Sequence, residues 1–287
     1  MRLTTLISSA VLLICLGSCS GLSSTEARFV KTTDSVASED AALLWSSTFR
    51  RSVWQRRWML EDRGMWGLEN VQIVEMPEDR FERSLRVHYP ASSASPAVAR
   101  RDSVPIGGAE FRGRLGLPPY DRLRLSYHVR FSENFDFVKG GKLPGLYGGT
   151  ANSGGDTPDG TDGFSARLMW RENGKGEVYA YLPTSENYGT SIGQGAWRFQ
   201  PGRWHHVVQE IHLNQTGKAN GKIQVWFDDE LVVDRSDITF RSTDQLKIDG
   251  IFFSTFFGGG DLSWATPEAV YTDFAEFKIS EVPGSAP

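Results

Sequence analysis

The sequence predicts an all-β fold, a jelly-roll sandwich of two antiparallel sheets with a concave groove for an extended polymer. The chain has 287 residues with 30 glycines and 13 prolines, a composition typical of many short strands joined by tight turns. Residues 122–131 alternate apolar and polar side chains, which is the period of a half-buried strand. Similar segments follow, and few helices are expected. A chain of this length buries enough surface to fold as one domain without disulfides.

The first residues predict an export signal. Arg2 supplies a positive charge, and the apolar run that follows is too short to span a membrane. The run ends in LGSC at residues 16–19, which resembles the lipobox of bacterial lipoproteins. We therefore expect residues 1–18 to be removed and Cys19 to carry lipid, anchoring the protein to the cell envelope at the outer membrane or cell surface. The alternative is an ordinary signal cleaved near the same position, which would release a secreted protein.

Residues 19–40 are polar and lack apolar periodicity, so we expect a flexible tether between the anchor and one domain of residues 41–287. The domain is predicted to begin with a short helix within Ala42–Trp58. Nine strands are then expected, at residues 71–76, 85–89, 122–131, 164–171, 177–182, 204–213, 222–227, 248–256 and 270–279. Asn-Gly and Gly-Gly turn signals separate several of them.

Composition and charge exclude several classes of function. The net charge is −4 and the isoelectric point is about 5.8, so a broad basic surface for nucleic acid is not expected. The two cysteines form no Cys-x-x-Cys pair, and no metal ion or other cofactor is expected. Asp156, Asp159 and Asp162 share one loop, but their spacing fits no calcium-binding loop and a plain polar loop is preferred. We expect a monomer whose only membrane contact is the lipid anchor.

Residues 164–171 and 177–182 are predicted to form a hairpin with one polar face. Both apolar faces must point at the core, and a three-residue loop at residues 173–175 satisfies this condition. The expected cross-strand pairs are Arg171–Glu177, Met169–Tyr179 and Arg167–Tyr181. The polar side chains expected together on the outward face are Ser165, Arg167, Tyr179 and Tyr181.

A glycine-rich segment precedes this hairpin. Residues 139–149 read KGGKLPGLYGG, and these glycines are expected to exclude regular structure and to permit close approach of a ligand to the backbone. A phosphate-binding loop is excluded because no Gly-Lys-Ser/Thr opens a helix. From the residues alone, Lys142 is either a ligand-binding cation or a solvated side chain.

Together these segments resemble polysaccharide lyase family 14, the alginate-lyase-like jelly rolls. The resemblance rests on KGGKLPGLYGG, FSARLMWRENGKGEVYAYLP, GRWHHVVQEIHLN and FFSTFFGGGDLSWA, and it covers roughly residues 105–280. It implies an enzyme whose cleft is lined by the lysine of KLPG, the serine and arginine of SxR, and both tyrosines of YxY. In this sequence these residues are Lys142, Ser165, Arg167, Tyr179 and Tyr181.

The resemblance implies cleavage of a polyuronate by β-elimination, in which a base removes the C5 proton and the C4 oxygen leaves. Lys142 and Arg167 would neutralise the carboxylate, and Ser165 would hydrogen-bond the substrate. A tyrosine whose anion is favoured by nearby cations would be the base, with Tyr181 as first choice and Tyr179 as second. In mannuronate and glucuronate the C5 hydrogen and C4 oxygen lie on the same side, so one tyrosine can serve both steps. Mannuronate-rich alginate or glucuronan is therefore favoured over polyguluronate.

Two other functions compete with this one. A non-catalytic carbohydrate-binding jelly-roll lipoprotein would use the same groove and aromatic side chains without forming an unsaturated product. A glycoside hydrolase would need two facing carboxylates, whereas the predicted cleft strands offer only Glu177. A lyase acting on an anionic polysaccharide is the function that the sequence favours.

Overall fold

Two antiparallel sheets form the framework of residues 42–49 and 54–282, the part of the chain that the computed structural model describes. Eight strands form the larger sheet: β1 (Leu43–Ser47), β2 (Val71–Glu75), β3 (Arg83–Tyr89), β5 (Arg122–Phe131), β10 (Trp204–His212), β11 (Gly221–Phe227), β12 (Glu230–Ile238) and β14 (Val270–Ser280). Six form the smaller sheet: β4 (Ala109–Gly113), β6 (Gly140–Gly149), β7 (Gly163–Arg171), β8 (Gly176–Tyr181), β9 (Thr190–Ile192) and β13 (Gly250–Thr255). The predicted two-sheet architecture is confirmed.

The order of the strands differs from their order in the chain. The larger sheet runs β12-β11-β10-β5-β14-β3-β2, with β1 also paired to β14, and the smaller sheet runs β4-β13-β6-β7-β8-β9. The strand β6 therefore lies between β13 and β7 in the middle of the smaller sheet. All nine predicted strands are present, with ends shifted by up to two residues.

Helices are short and few in the described residues. The helix α1 covers Trp54–Trp58 and α2 covers Pro96–Asp102, and neither is long and apolar enough to cross a membrane. The short helix predicted within Ala42–Trp58 is confirmed only at Trp54–Trp58, because Leu43–Ser47 form β1 and pair with β14. Backbone pairing with a neighbouring strand outweighs local helix propensity there.

The core lies between the sheets and is rich in aromatic residues. Trp170 of β7 is fully buried, and its ring centroid lies 5.5 Å from that of Phe131 and 5.4 Å from that of Phe257. Replacing such a residue by alanine typically costs about 3–5 kcal/mol of stability. Because Trp170, Leu168 and Ala166 face this core, the alternate residues of β7 face away from it. We call the side of the smaller sheet that faces away from the core its outer face.

The glycine-rich run is a strand, so the expectation of irregular structure was wrong. Residues 140–149 form β6 and pair with β7 along most of its length. A Cβ atom at Gly141 would lie 2.1 Å from the Trp170 ring, and one at Gly148 would lie 2.5 Å from the Phe164 ring. The glycines therefore accommodate close neighbours inside a central strand rather than a turn.

The predicted signal, lipidated Cys19 and tether lie outside the described residues. The domain boundary at residue 41 stays a prediction.

Candidate active site

The hairpin β7–β8 presents the predicted polar face, but with a different register. The observed cross-strand pairs are Met169–Glu177, Arg167–Tyr179 and Ser165–Tyr181. Residues 172–175 connect the two strands and include a 3₁₀ turn at Glu172–Gly174, so the predicted three-residue loop is wrong. A shift of two residues preserves which side chains share a face, and the predicted outer-face set is therefore retained.

A bulge in β6 adds the lysine to this face. The pairing of β6 with β7 is irregular between Leu143 and Gly145, so the alternation of side chains changes there. Leu143 and Leu146 both point to the core, while Lys142 and Tyr147 both lie on the outer face. Lys142 lies opposite Met169, beside the predicted residues of the hairpin.

Lys142 is enclosed by soft and aromatic groups. Its Nζ lies 2.8 Å from the Met169 sulfur and 3.9 Å from the centroid of the Tyr179 ring. Burial lowers the pKa of Lys142 well below its usual value, and the positive charges of Arg167 and Arg171 lower it further. The amine therefore gives up its proton more readily than an exposed lysine does.

Arg167 is a buried cation held by a short chain of polar groups. Its side chain is 2% exposed, and Nη1 donates to Ser254 Oγ at 3.0 Å. Ser254 Oγ donates to Glu110 Oε2 at 2.9 Å, and this carboxylate oxygen lies 3.7 Å from Arg167 Nη1. Burial lowers the pKa of Arg167, but a guanidinium stays charged at any pH at which proteins work.

The two tyrosines differ in access and in environment. Tyr181 is 2% exposed, and its hydroxyl accepts a hydrogen bond from the backbone N–H of Gly155 at 3.1 Å. Tyr179 is only half-buried. Burial raises the pKa of Tyr179 and Tyr181 adds to the shift, while Arg171 opposes it. Arg171 favours the anion of Tyr179, as expected for a nearby cation, but burial outweighs it and the pKa of Tyr179 is raised.

Ser165 lies where the sequence places it, but its hydroxyl is engaged. Its side chain is fully buried, and Oγ donates to the carbonyl oxygen of Asn152 at 2.6 Å. The same loop supplies the Gly155 N–H to Tyr181, so the loop covers this end of the outer face. A contact between Ser165 and substrate stays a prediction, and it would require exchange of the Asn152 hydrogen bond.

Sequence reasoning missed the residues of β4 and β13 that complete the site. Glu110 and Ser254 orient Arg167, and the Phe252 ring lies 4.6 Å from its guanidinium carbon. Residues 109–113 read AEFRG, which alternates small or apolar with charged side chains and would have indicated a strand with Glu110 outward. Among the described residues, no group of three or more His, Cys, Asp or Glu could hold a metal ion.

Comparisons with known proteins match the chain to one family. The family model described as polysaccharide lyase 14 matches residues 77–277. The crystal structure of a marine PL-14 alginate lyase from Aplysia kurodai is 32% identical in sequence, and the superposition gives a TM-score of 0.72. That match covers 84% of this chain and 100% of the other.

More distant structures share the fold. Alginate lyase vAL-1 from a Chlorella virus is 20% identical over 79% of this chain and 93% of its own, with a TM-score of 0.65. An endo-β-1,4-glucuronan lyase from the fungus Trichoderma reesei is 12% identical over 85% and 100%, with a TM-score of 0.55. The jelly-roll assignment is thereby confirmed. A search of curated protein sequences gave no match.

Proposed function

The chain belongs to polysaccharide lyase family 14, and on this premise we propose that it cleaves a polyuronate by β-elimination, leaving an unsaturated uronate at the new end. The main observation behind this proposal is that the amine of Lys142, the phenol of Tyr179 and the buried guanidinium of Arg167 lie together on the outer face of the smaller sheet. Lys142 Nζ lies 3.9 Å from the Tyr179 ring centroid, and Arg167 lies directly opposite Tyr179 in the sheet. The alginate lyase from Aplysia kurodai supports the choice of an acidic polymer.

We assign the base to Lys142. A general base must be deprotonated before it accepts the C5 proton, and burial together with Arg167 and Arg171 lowers the pKa of this amine. The sequence had suggested Lys142 as a second cation for the carboxylate. Its lowered pKa favours the role of base, and Arg167 remains as the cation that neutralises the carboxylate charge.

We assign the acid to Tyr179. Its raised pKa keeps the hydroxyl protonated, and it is more accessible than Tyr181, whose hydroxyl is bonded to Gly155. In the step, the C5–H bond breaks and its proton passes to Lys142 Nζ, while the C4–C5 double bond forms. The C4–O bond breaks, and the leaving oxygen takes the Tyr179 proton. Proton return from the Lys142 ammonium to the Tyr179 phenolate restores both groups.

The positions of the base and the acid favour substrates whose C5 hydrogen and C4 oxygen leave from the same side of the sugar ring. The base and the acid lie beside each other on one face, because the Lys142 amine stacks on the Tyr179 ring. In mannuronate and glucuronate the departing hydrogen and oxygen are on the same side, whereas in guluronate they are on opposite sides. We therefore propose mannuronate-rich alginate or glucuronan as the substrate.

The test is digestion of polymannuronate, glucuronan and polyguluronate, followed by the ultraviolet absorbance of the new C4–C5 double bond. We expect product from at least one of the first two polymers and little from polyguluronate. Lys142→Ala should abolish product, whereas Lys218→Ala, in an exposed loop, should retain full activity as the matched control. Binding of the polymers without any double-bond absorbance would refute the lyase assignment and favour a carbohydrate-binding module.

We also propose that Cys19 is lipidated and that the enzyme is exported and held at the cell envelope. The LGSC sequence at residues 16–19 supports this, and the polar residues 19–40 would serve as the tether. Mass spectrometry of the purified protein should find residues 1–18 absent and a diacylated Cys19. Cys19→Ser should release the protein from membranes without changing kcat. An unmodified Cys19 in the wild-type protein would contradict the anchor.

A further inference from the structure

Arg112, on the edge strand β4, is a buried cation without a countercharge. Its side chain is 9% exposed, and its one hydrogen bond is from Nη1 to the carbonyl oxygen of Arg63 at 2.9 Å. The Nε is buried and has no hydrogen-bond partner in the described structure. Within residues 42–49 and 54–282, no carboxylate oxygen lies within 4 Å of its guanidinium nitrogens.

Three other buried or half-buried arginines in the described part of the chain do not share this property. The guanidinium groups of Arg124, Arg171 and Arg241 each lie within 2.7 Å of a carboxylate oxygen. An unpaired charge is expensive to bury. A lysine can relieve that cost by losing its proton, but an arginine stays charged. An anion bound to Arg112 would offset this cost.

The position of Arg112 places that anion beside the proposed reaction site. Across the sheet, Arg112 lies opposite Phe252, Phe252 opposite Gly145, and Gly145 opposite Arg167. Since Gly145 has no side chain, Arg167 extends across β6 towards β13. The guanidinium carbons of Arg112 and Arg167 lie 4.7 and 4.6 Å from the centroid of the same Phe252 ring.

We infer that Arg112 forms a second carboxylate subsite, which holds a uronate residue neighbouring the one that reacts at Lys142 and Tyr179. A polyuronate carries one carboxylate per sugar, so a bound polymer presents more carboxylates than Arg167 alone can neutralise. The planar guanidinium of arginine is well suited to bind a carboxylate with two hydrogen bonds. This inference rests on the proposed function, because it takes the ligand to be a polyuronate.

The kinetic test is Arg112→Gln, assayed by double-bond absorbance on the preferred polymer. Loss of a charge-assisted contact made equally in the ground and transition states should raise KM about ten-fold or more and leave kcat nearly unchanged. Arg112→Lys should recover part of the loss, because it keeps the charge but not the bidentate geometry. Arg235→Gln, which removes an exposed arginine from β12, should change neither constant.

The binding test separates the subsite from the chemistry. The polymer is titrated onto a Tyr179→Phe variant with and without Arg112→Gln, and a carboxyl-reduced sample of the same polymer is the neutral control. We expect Arg112→Gln to weaken binding of the polyuronate about ten-fold and to leave binding of the reduced polymer unchanged. If these binding results are obtained but the wild-type protein forms no unsaturated product, the lyase assignment is refuted and the carboxylate subsite at Arg112 is retained.

Two outcomes would overturn the subsite. In the first, Arg112→Gln has wild-type KM and affinity, and the enzyme still forms product, so that the proposed function survives alone. In the second, Arg112→Gln lowers the melting temperature with no selective loss of polyuronate affinity, which would make the arginine structural. Arg112→Met is a second variant in case Arg112→Gln folds poorly. Because it removes an unpaired buried charge, it should not lower the melting temperature of the unliganded enzyme.

Discussion

The larger sheet, like the smaller one, has an outer face that faces away from the core. Charged residues are arranged differently on the two outer faces. On the larger sheet, the fully buried Asp273 accepts hydrogen bonds from Ser84, Arg86 and Arg130. Arg130 also pairs with Asp79 at 2.5 Å. Each cation of this network therefore faces a carboxylate, and the network links β3, β5 and β14.

On the smaller sheet the cations exceed the carboxylates. Lys142 and Arg112 have no ion-pair partner in the described structure, and Arg167 reaches Glu110 at 3.7 Å. The protein tolerates this imbalance by lowering the pKa of Lys142 and by placing aromatic rings against the cations. The contrast is consistent with both proposals made above, in which paired buried charges stabilise the fold and the unpaired cations of the smaller sheet bind an anionic substrate.

Among the variants that test this contrast, Tyr179→Phe is expected to have the largest effect. Removing the proposed acid should lower kcat by about 10²- to 10⁴-fold and leave KM nearly unchanged, as measured by double-bond absorbance. The matched control is Tyr271→Phe on the larger sheet. The centroid of the Tyr271 ring lies 3.6 Å from the guanidinium carbon of Arg86. Tyr271→Phe should keep wild-type kcat. If Tyr181→Phe is inactive and Tyr179→Phe is active, the acid role passes to Tyr181.

A smaller effect, on stability alone, is expected from Asp273→Asn. The substitution keeps the size of the side chain but leaves Arg86 and Arg130 without their shared carboxylate. Breaking a buried pair in this way should lower the free energy of unfolding by about 3 kcal/mol, measured by urea denaturation. The kcat of the folded protein should not change.

The control for this prediction is Asp237→Asn, which breaks an exposed pair with Arg235 and should not measurably alter stability. If Asp273→Asn loses much of its kcat but keeps its stability, the charged network of the larger sheet acts in catalysis, and the structural role proposed for it is wrong.

Alternation of side chains made much of the fold and of the site predictable from sequence. The apolar positions of β7 and β8 determine which residues face the core, so the sequence alone groups Ser165, Arg167, Tyr179 and Tyr181 on the opposite face. Lys142 joined them through the family resemblance. Its place on the outer face depends on the bulge at Leu143–Gly145, which alternation does not reveal.

Long-range packing explains what was missed. The glycine run at residues 140–149 has low intrinsic preference for a strand, and its pairing with β7 and β13 becomes evident only in the folded sheet. The hairpin register depends on a 3₁₀ turn at Glu172–Gly174 that lengthens the connection. Arg112 was missed because the absence of a countercharge is a property of three-dimensional neighbours, not of spacing along the chain.

The smallest expected effect is a shift of the pH profile in Arg171→Met. The positive charge of Arg171 lowers the pKa of Lys142 and also that of Tyr179, so its removal should raise both. The base must be neutral and the acid protonated, so activity falls at low pH through Lys142 and at high pH through Tyr179. Both limbs of kcat/KM against pH should therefore move to higher pH, with little change in the plateau.

A double variant provides the control, because Arg171 donates to the buried carboxylate of Glu177 at 2.7 Å. Glu177 raises the pKa of Lys142, in the direction opposite to Arg171. Arg171→Met with Glu177→Gln removes both influences and should return the acidic limb towards its wild-type position. If the single variant moves the acidic limb to lower pH, Lys142 is not the group that titrates there. The unpaired cation would then act as a fixed charge rather than as the base.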